Sequence, residues 1–267
     1  MARVDPKFQL IGPLQNLSFY SIRGSEELYV RRKGGPTREQ IKKAPQFETT
    51  RKNNKEFGGR SVAARMVMGP LSKLRLVTDY NIAGALNALF KPVQALDTVN
   101  PVGMRCIELS KDPSVLKGFV LNRATPFESL ITTPVDCTIS KEKLEATVVI
   151  PELRPAANFR IPDKYPWFKI TAVLAVMKDL YYDERNKWYA TADGASTSNY
   201  TFEETNWLPV YPHTPSFPIN ISLQDLAHLY DASYSCMLAL GVAFGTMRQG
   251  AIQQVKYVGA GKIMAVS

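Results

Sequence analysis

The chain has 267 residues, 45% of them hydrophobic and 21% charged, the balance of a protein with a packed core rather than of a disordered one. Its uncharged apolar stretches, such as "ITAVLAVM" at residues 170–177, fall far short of the roughly 20 residues of a membrane-spanning helix, so no span is expected. The formal net charge of +9 is unevenly placed, because residues 1–75 hold 16 Lys and Arg against 6 Asp and Glu while the remainder holds 17 against 18.

Along the chain, the opening "MARVDPKFQLIG" lacks the cationic segment, apolar run and small-residue cleavage site of a secretory signal, and a cytoplasmic location is the expectation. Its apolar residues Val4, Phe8, Leu10 and Ile11 are expected to lie against a partner. Residues 16–22 and 26–33 are rich in aromatic and β-branched side chains and flank a turn signal containing Gly24, the pattern of a β-hairpin. Gly34, Gly35 and Pro36 stop the second strand, and Thr37 with Gln40 three residues later reads as a capping box opening a short helix. That helix ends at Ala44, because the residue before a proline is pushed out of helical angles. A second helix starts near Pro45, is expected to be interrupted by Gly58 and Gly59, and resumes over "RSVAARMVM". Past Gly69 and Pro70, helical spacing of Leu71, Leu74, Tyr80, Leu86, Leu89 and Phe90 predicts an amphipathic helix that breaks near Lys91 and Pro92.

Beyond about Pro101 the apolar period becomes two. Leu144, Ala146, Val148 and Ile150 share one face, as do Phe168, Ile170, Ala172, Leu174 and Val176, which predicts half-buried strands. "DERNK" at residues 183–187 separates two aromatic-rich segments and reads as a hairpin tip. Tyr234, Cys236, Leu238, Leu240, Val242 and Phe244 alternate with small residues that include Gly241, Ala243 and Gly245, a strand pattern rather than a helical one. The chain turns back at residues 248–250 into a last strand. No fixed-period repeat appears. The expected fold class is α+β, an N-terminal β-hairpin and basic helical segment over residues 1–100 followed by an antiparallel β-sandwich over residues 101–267.

Over residues 16–58 the sequence resembles a group of uncharacterised Bacteroidetes proteins. The resemblance is carried by Asn16, Ser18, Phe19, Val30, Arg31, Lys33, Pro45, Phe47, Thr50, Arg51, Asn54, Phe57 and Gly58. It implies a shared N-terminal module and attaches no activity or cofactor to it.

Chemical signatures are sparse. Cys106, Cys137 and Cys236 are too widely spaced for a zinc pattern and read as small core residues. "GAGK" at residues 259–262 lacks the earlier glycine and following hydroxyl of a phosphate loop and reads as a strand bend. His213 and His228 have no ligand or catalytic partner at short spacing. The carboxylates near Tyr181, Tyr182, Trp188, Tyr189 and Trp207 suggest a glycan-binding or hydrolytic cleft only as a third reading. No catalytic, cofactor or metal residue is therefore assigned. What stands out is the basic run Arg31, Arg32, Lys33, Arg38, Lys42, Lys43, Arg51, Lys52, Lys55 and Arg60. It points to an interface with other copies of the chain, in a structural, self-assembling protein, or alternatively to non-specific contact with nucleic-acid phosphates.

Overall fold

The computed structural model describes residues 2–4 (backbone only), 12–22, 27–162, 164–194, 198–230 and 233–267. The chain divides into two compact units, Met1–Arg51 and Lys52–Ser267. The boundary expected near residue 100 lies in a loop within the second unit. The α+β class expected from sequence is the class observed.

In the first unit, β1 (Ala2–Val4), β2 (Gly12–Leu14), β3 (Leu17–Ser21) and β4 (Leu28–Arg32) form an antiparallel sheet in the order β1-β4-β3-β2. β3 and β4 are the expected hairpin, with Phe19 opposite Val30 and Tyr20 opposite Tyr29. Its turn, like Phe8, Leu10 and Ile11, lies outside the described residues. Ala2–Val4, part of the segment expected to lie against a partner, pairs with β4 of the same chain. Two-residue alternation puts Phe19, Leu28 and Val30 on one face of the sheet and Tyr20, Tyr29 and Arg31 on the other. There the two tyrosine rings stack at 5.8 Å and the Arg31 guanidinium lies 5.6 Å from the Tyr20 ring centre.

The helix α1 (Arg38–Lys43) opens on the expected capping box, in which the Gln40 N–H donates to Thr37 Oγ1 at 3.2 Å and the Thr37 N–H to Gln40 Oε1 at 2.7 Å. A 3₁₀ turn, Pro45–Phe47, leads into α2 (Glu48–Leu71). Gly58 and Gly59 do not interrupt α2. Glycine keeps its backbone donor, and its missing Cβ is what the packing here requires: a Cβ on Gly59 would stand 2.7 Å from the Tyr189 ring, and one on Gly58 3.2 Å from Trp188. The next helix, α3 (Ile82–Ala95), is separated from α2 by a 3₁₀ turn at Ser72–Leu74 and a loop, and the Asn81 side chain caps it by accepting from the Ala83 N–H at 3.0 Å. The break thus comes earlier than predicted. Pro92, itself exposed, is carried within α3 beside the buried Val93 and Gln94 without ending the helix.

A short helix α4 (Phe127–Leu130) precedes the strands β5 (Asp136–Ser140), β6 (Glu145–Ile150), β7 (Trp167–Lys178), β8 (Tyr181–Asp183), β9 (Trp188–Ala190) and β10 (Asn199–Glu204). They are followed by β11 (Leu208–Pro209), β12 (Phe217–Ser222), β13 (Tyr234–Arg248) and β14 (Ala251–Val266). The main sheet runs β10-β7-β13-β14 with β11 added to β7; a second sheet runs β12-β6-β5, and β8 pairs with β9. On β7, Phe168, Ile170, Ala172, Leu174 and Val176 enter one core with Ala146, Val148 and Ile150 of the second sheet. Val173, Ala175 and Met177 enter another with Val67, Leu71, Leu86 and Phe90 of α2 and α3. The expected sandwich therefore carries a helical layer on its far side, and β7, predicted half-buried, is covered on both faces. The bend expected at "GAGK" falls at a register shift between β13 and β14, where Gly259 has φ +131° and a Cβ would meet the Val242 carbonyl oxygen at 2.0 Å.

Two glycine substitutions separate packing from helix propensity. Alanine gains about 1 kcal/mol over glycine in a helix interior, so Gly84→Ala, exposed with open space around it in α3, is expected to stabilise the protein by about 0.5–1 kcal/mol. Gly59→Ala carries the same gain but drives a methyl group into the Tyr189 ring, and a net loss of about 1–2 kcal/mol is expected in urea denaturation.

Candidate functional site

The ten basic residues of the sequence analysis have different fates. Arg32, Lys33, Arg38, Lys42 and Lys43 extend into solvent from β4, the loop after it and α1. Arg31 covers Tyr20. Arg51 is committed to structure: its Nη1 donates to the Ile41 and Ala44 carbonyl oxygens at 2.8 and 2.9 Å, satisfying acceptors at the end of α1. In the second unit, Lys52 is exposed and Lys55 lies 5.5 Å from the Tyr182 ring centre. Arg60 is half-buried, with Nη1 donating to Gln94 Oε1 at 2.7 Å.

Arg60 belongs to a buried polar network that joins α2, α3, β9 and the loop after α3. Glu56, 3% exposed, receives a forked ion pair from Arg105, with Nε on Oε1 and Nη2 on Oε2 both at 2.7 Å, and a third bond from the Gly103 N–H at 2.9 Å. Gln94, fully buried, donates through Nε2 to the Arg105 carbonyl oxygen and the Tyr189 hydroxyl. Nearby, the Asp97 carboxylate accepts from the N–H groups of Val99, Asn100 and Cys106. Burial pushes the Glu56 carboxyl up, but the bonds from Arg105 and Gly103 and the charges of Arg105 and Arg60 outweigh it and hold it below its ordinary value. Burial opposes ionisation of Asp97 as well, and its hydrogen bonds, those of Asn100 foremost, hold it far below. The network was missed in the sequence, yet Glu56 lies in step with the buried α2 residues Gly59, Ala63, Met66 and Pro70, and a carboxylate on a buried stripe signals a fixed cation.

The other sequence candidates scatter. His213 is exposed, with Nε2 3.8 Å from Glu152, and His228 is exposed on a 3₁₀ turn, Gln224–Leu229. Cys106 and Cys236 are buried and Cys137 half-buried; burial pushes all three thiols up, Cys137 to about 11. No group of three or more His, Cys, Asp or Glu side chains is arranged to hold a metal ion among the described residues, and no helix among them is long and apolar enough to cross a membrane. The aromatic set divides: Tyr189 packs edge-on to Tyr182 at 5.4 Å, a Cβ on Gly245 would touch Trp207, and Tyr181 lines a separate cleft with Asp179 and His228. Trp188 and Tyr189, joined by Tyr200, line a cleft of about 530 Å³ between α2 and the β8–β9 hairpin.

Compared with models of known protein families, with curated proteins and with solved structures, the chain matches none.

Because both carboxylates are held below their ordinary values, the stability they supply is fully present above about pH 4–5 and is lost as pH falls through their folded-state values. Glu56→Gln is expected to lower stability by about 1–3 kcal/mol at pH 7 and to flatten the loss between about pH 5 and 3, read from thermal midpoints across that range.

Proposed function

We propose that this chain is a structural building block, not an enzyme, that joins copies of itself through its N-terminal sheet into rings or filaments. The observation that carries this reading is the imbalance between the two units. The second holds two hydrophobic clusters of its own. In the first, Phe19 and Leu28 are the only buried hydrophobic side chains among the described residues, while Leu14 (55% exposed), Leu17 and Ile22 face solvent. Strands of three to five residues with so small a core need a further surface to bury their apolar face. β1 and β2 end the sheet on its two sides, and their outer backbone groups are templates for a neighbouring strand. A contact between this unit and a different surface of the next copy is heterologous, and such contacts close into rings or propagate as filaments.

The exposed cations Arg32, Lys33, Arg38, Lys42 and Lys43 favour a second reading, non-specific binding to nucleic-acid phosphates. Both readings are tested by replacing Arg32, Lys33, Lys42 and Lys43 with glutamate, and by deleting residues 1–35. Exposed ion pairs contribute about 0–1 kcal/mol each and weaken with salt, so several must act together. The expected outcome is that the deletion gives a soluble monomer by light scattering and that the charge-reversed chain assembles poorly without nucleic acid. Normal assembly with loss of DNA binding alone would select the second reading.

A further inference from the structure

The cleft beside α2 is built by the aromatic hairpin seated on Gly58 and Gly59. One wall is a single face of α2, on which Val62, Arg65, Met66 and Gly69 follow helical spacing. The opposite wall is the β8–β9 hairpin and the start of β10, held to the helix by the Ser198 hydroxyl, which donates to the Met66 carbonyl oxygen at 2.8 Å. With about 530 Å³ of space, the cleft lies within the range of roughly 300–1,000 Å³ usual for small-molecule sites.

Its chemistry is mixed in a particular way. Trp188 rests the edge of its indole against α2 and remains 52% exposed, a large apolar surface left in water at the mouth of a cleft, and Tyr200 is exposed beside it. The electron-rich faces of such rings attract the polarised C–H groups of a sugar ring. Two charged side chains lie among the lining residues. Asp183 is spent on the hairpin turn: Oδ1 accepts from the N–H groups of Arg185 and Asn186 at 2.8 and 3.3 Å, and Oδ2 accepts from Asn186 Nδ2 at 2.6 Å. Arg65, exposed on α2, has no hydrogen-bond or ion-pair partner among the described residues. A planar guanidinium with all its donors available is suited to a carboxylate, which it engages through two parallel bonds.

We propose that this cleft binds a short acidic saccharide, with a pyranose ring against Trp188 and its carboxylate on Arg65. The site lies wholly in the second unit and stands or falls independently of assembly through the first. Two probes differing in one group test it: cellobiose, and cellobiouronic acid, in which a terminal hydroxymethyl is oxidised to carboxylate. In calorimetric titrations of the full chain, the acid is expected to bind at least ~10-fold more tightly than cellobiose, the effect of one charge-assisted contact. Arg65→Ala is expected to erase that preference and leave the two probes equal. Trp188→Ala is expected to weaken both. Should that variant lose its folded circular-dichroism spectrum, Tyr200→Ala, altering an exposed side chain, takes its place with the same expectation. Binding of neither probe to the unaltered chain, equal binding of both, or an acid preference that survives in Arg65→Ala would each overturn the proposal.

Discussion

The antiparallel pairing of β7 with β13, from Tyr234 opposite Lys178 to Gly245 opposite Trp167, is the constraint on which the second unit rests. Both strands are buried on both faces over most of their length, so each successive side chain serves a different core. A slip of one residue would send Leu174 and Val176 toward the helices and Ala175 and Met177 toward the second sheet, exchanging unlike volumes throughout. Small residues on the helix side make that exchange still harder. A Cβ on Gly241 would stand 2.4 Å from Leu74, so the turn after α2 sits directly on the β13 backbone. Register, helix position and sheet spacing are settled together.

Around that apolar centre, the polar contacts fix what hydrophobic packing leaves open. Hydrophobic burial is non-directional and tolerates sliding of a helix along its own axis. The forked Arg105–Glu56 pair and the Gln94 bridge to Tyr189 do not tolerate it, since each needs donors and acceptors within about 3 Å and in line. These bonds hold α2 and α3 at one height relative to β9. The seat of Trp188 and Tyr189 on α2, and with it the shape of the neighbouring cleft, follows from that locking.

Much of this architecture is legible in the sequence. The alternation from Phe168 to Val176 and from Tyr234 to Phe244, the Thr37–Gln40 capping box and the stop at Ala44 all rest on nearest-neighbour geometry, which a single chain displays. The errors share a cause. Gly58 and Gly59 look like a helix interruption because propensity counts only their cost, whereas the compensation comes from aromatic rings some 130 residues away. The helix predicted from about Leu71 with a break near Pro92 instead begins at Ile82 and runs through Pro92: proline is a strong local signal, while the Asn81 cap is a weaker one that decides where the helix starts. One apolar face suffices for a sandwich strand and predicts β7 half-buried; "ITAVLAVM", apolar at nearly every position, already asks for cover on both sides. Of the cleft, Trp188 and Tyr189 were visible as hairpin aromatics, but Arg65 and Tyr200 come from elements that only tertiary packing brings to them.

The central strand pair also governs the order in which the chain acquires its shape. β13 is joined to β7 across a long stretch of intervening chain, and the apolar faces of α2 and α3 rest on both. During synthesis those two helices emerge about 150 residues before the end of β13, which at roughly 5–20 residues per second is an interval of about 8–30 s. Throughout it Val67, Leu71, Leu86 and Phe90 have only part of their final cover. The nascent chain thus carries an apolar helical pair that waits for its floor, and the slow closure of a non-local sheet becomes the step that ends the exposure.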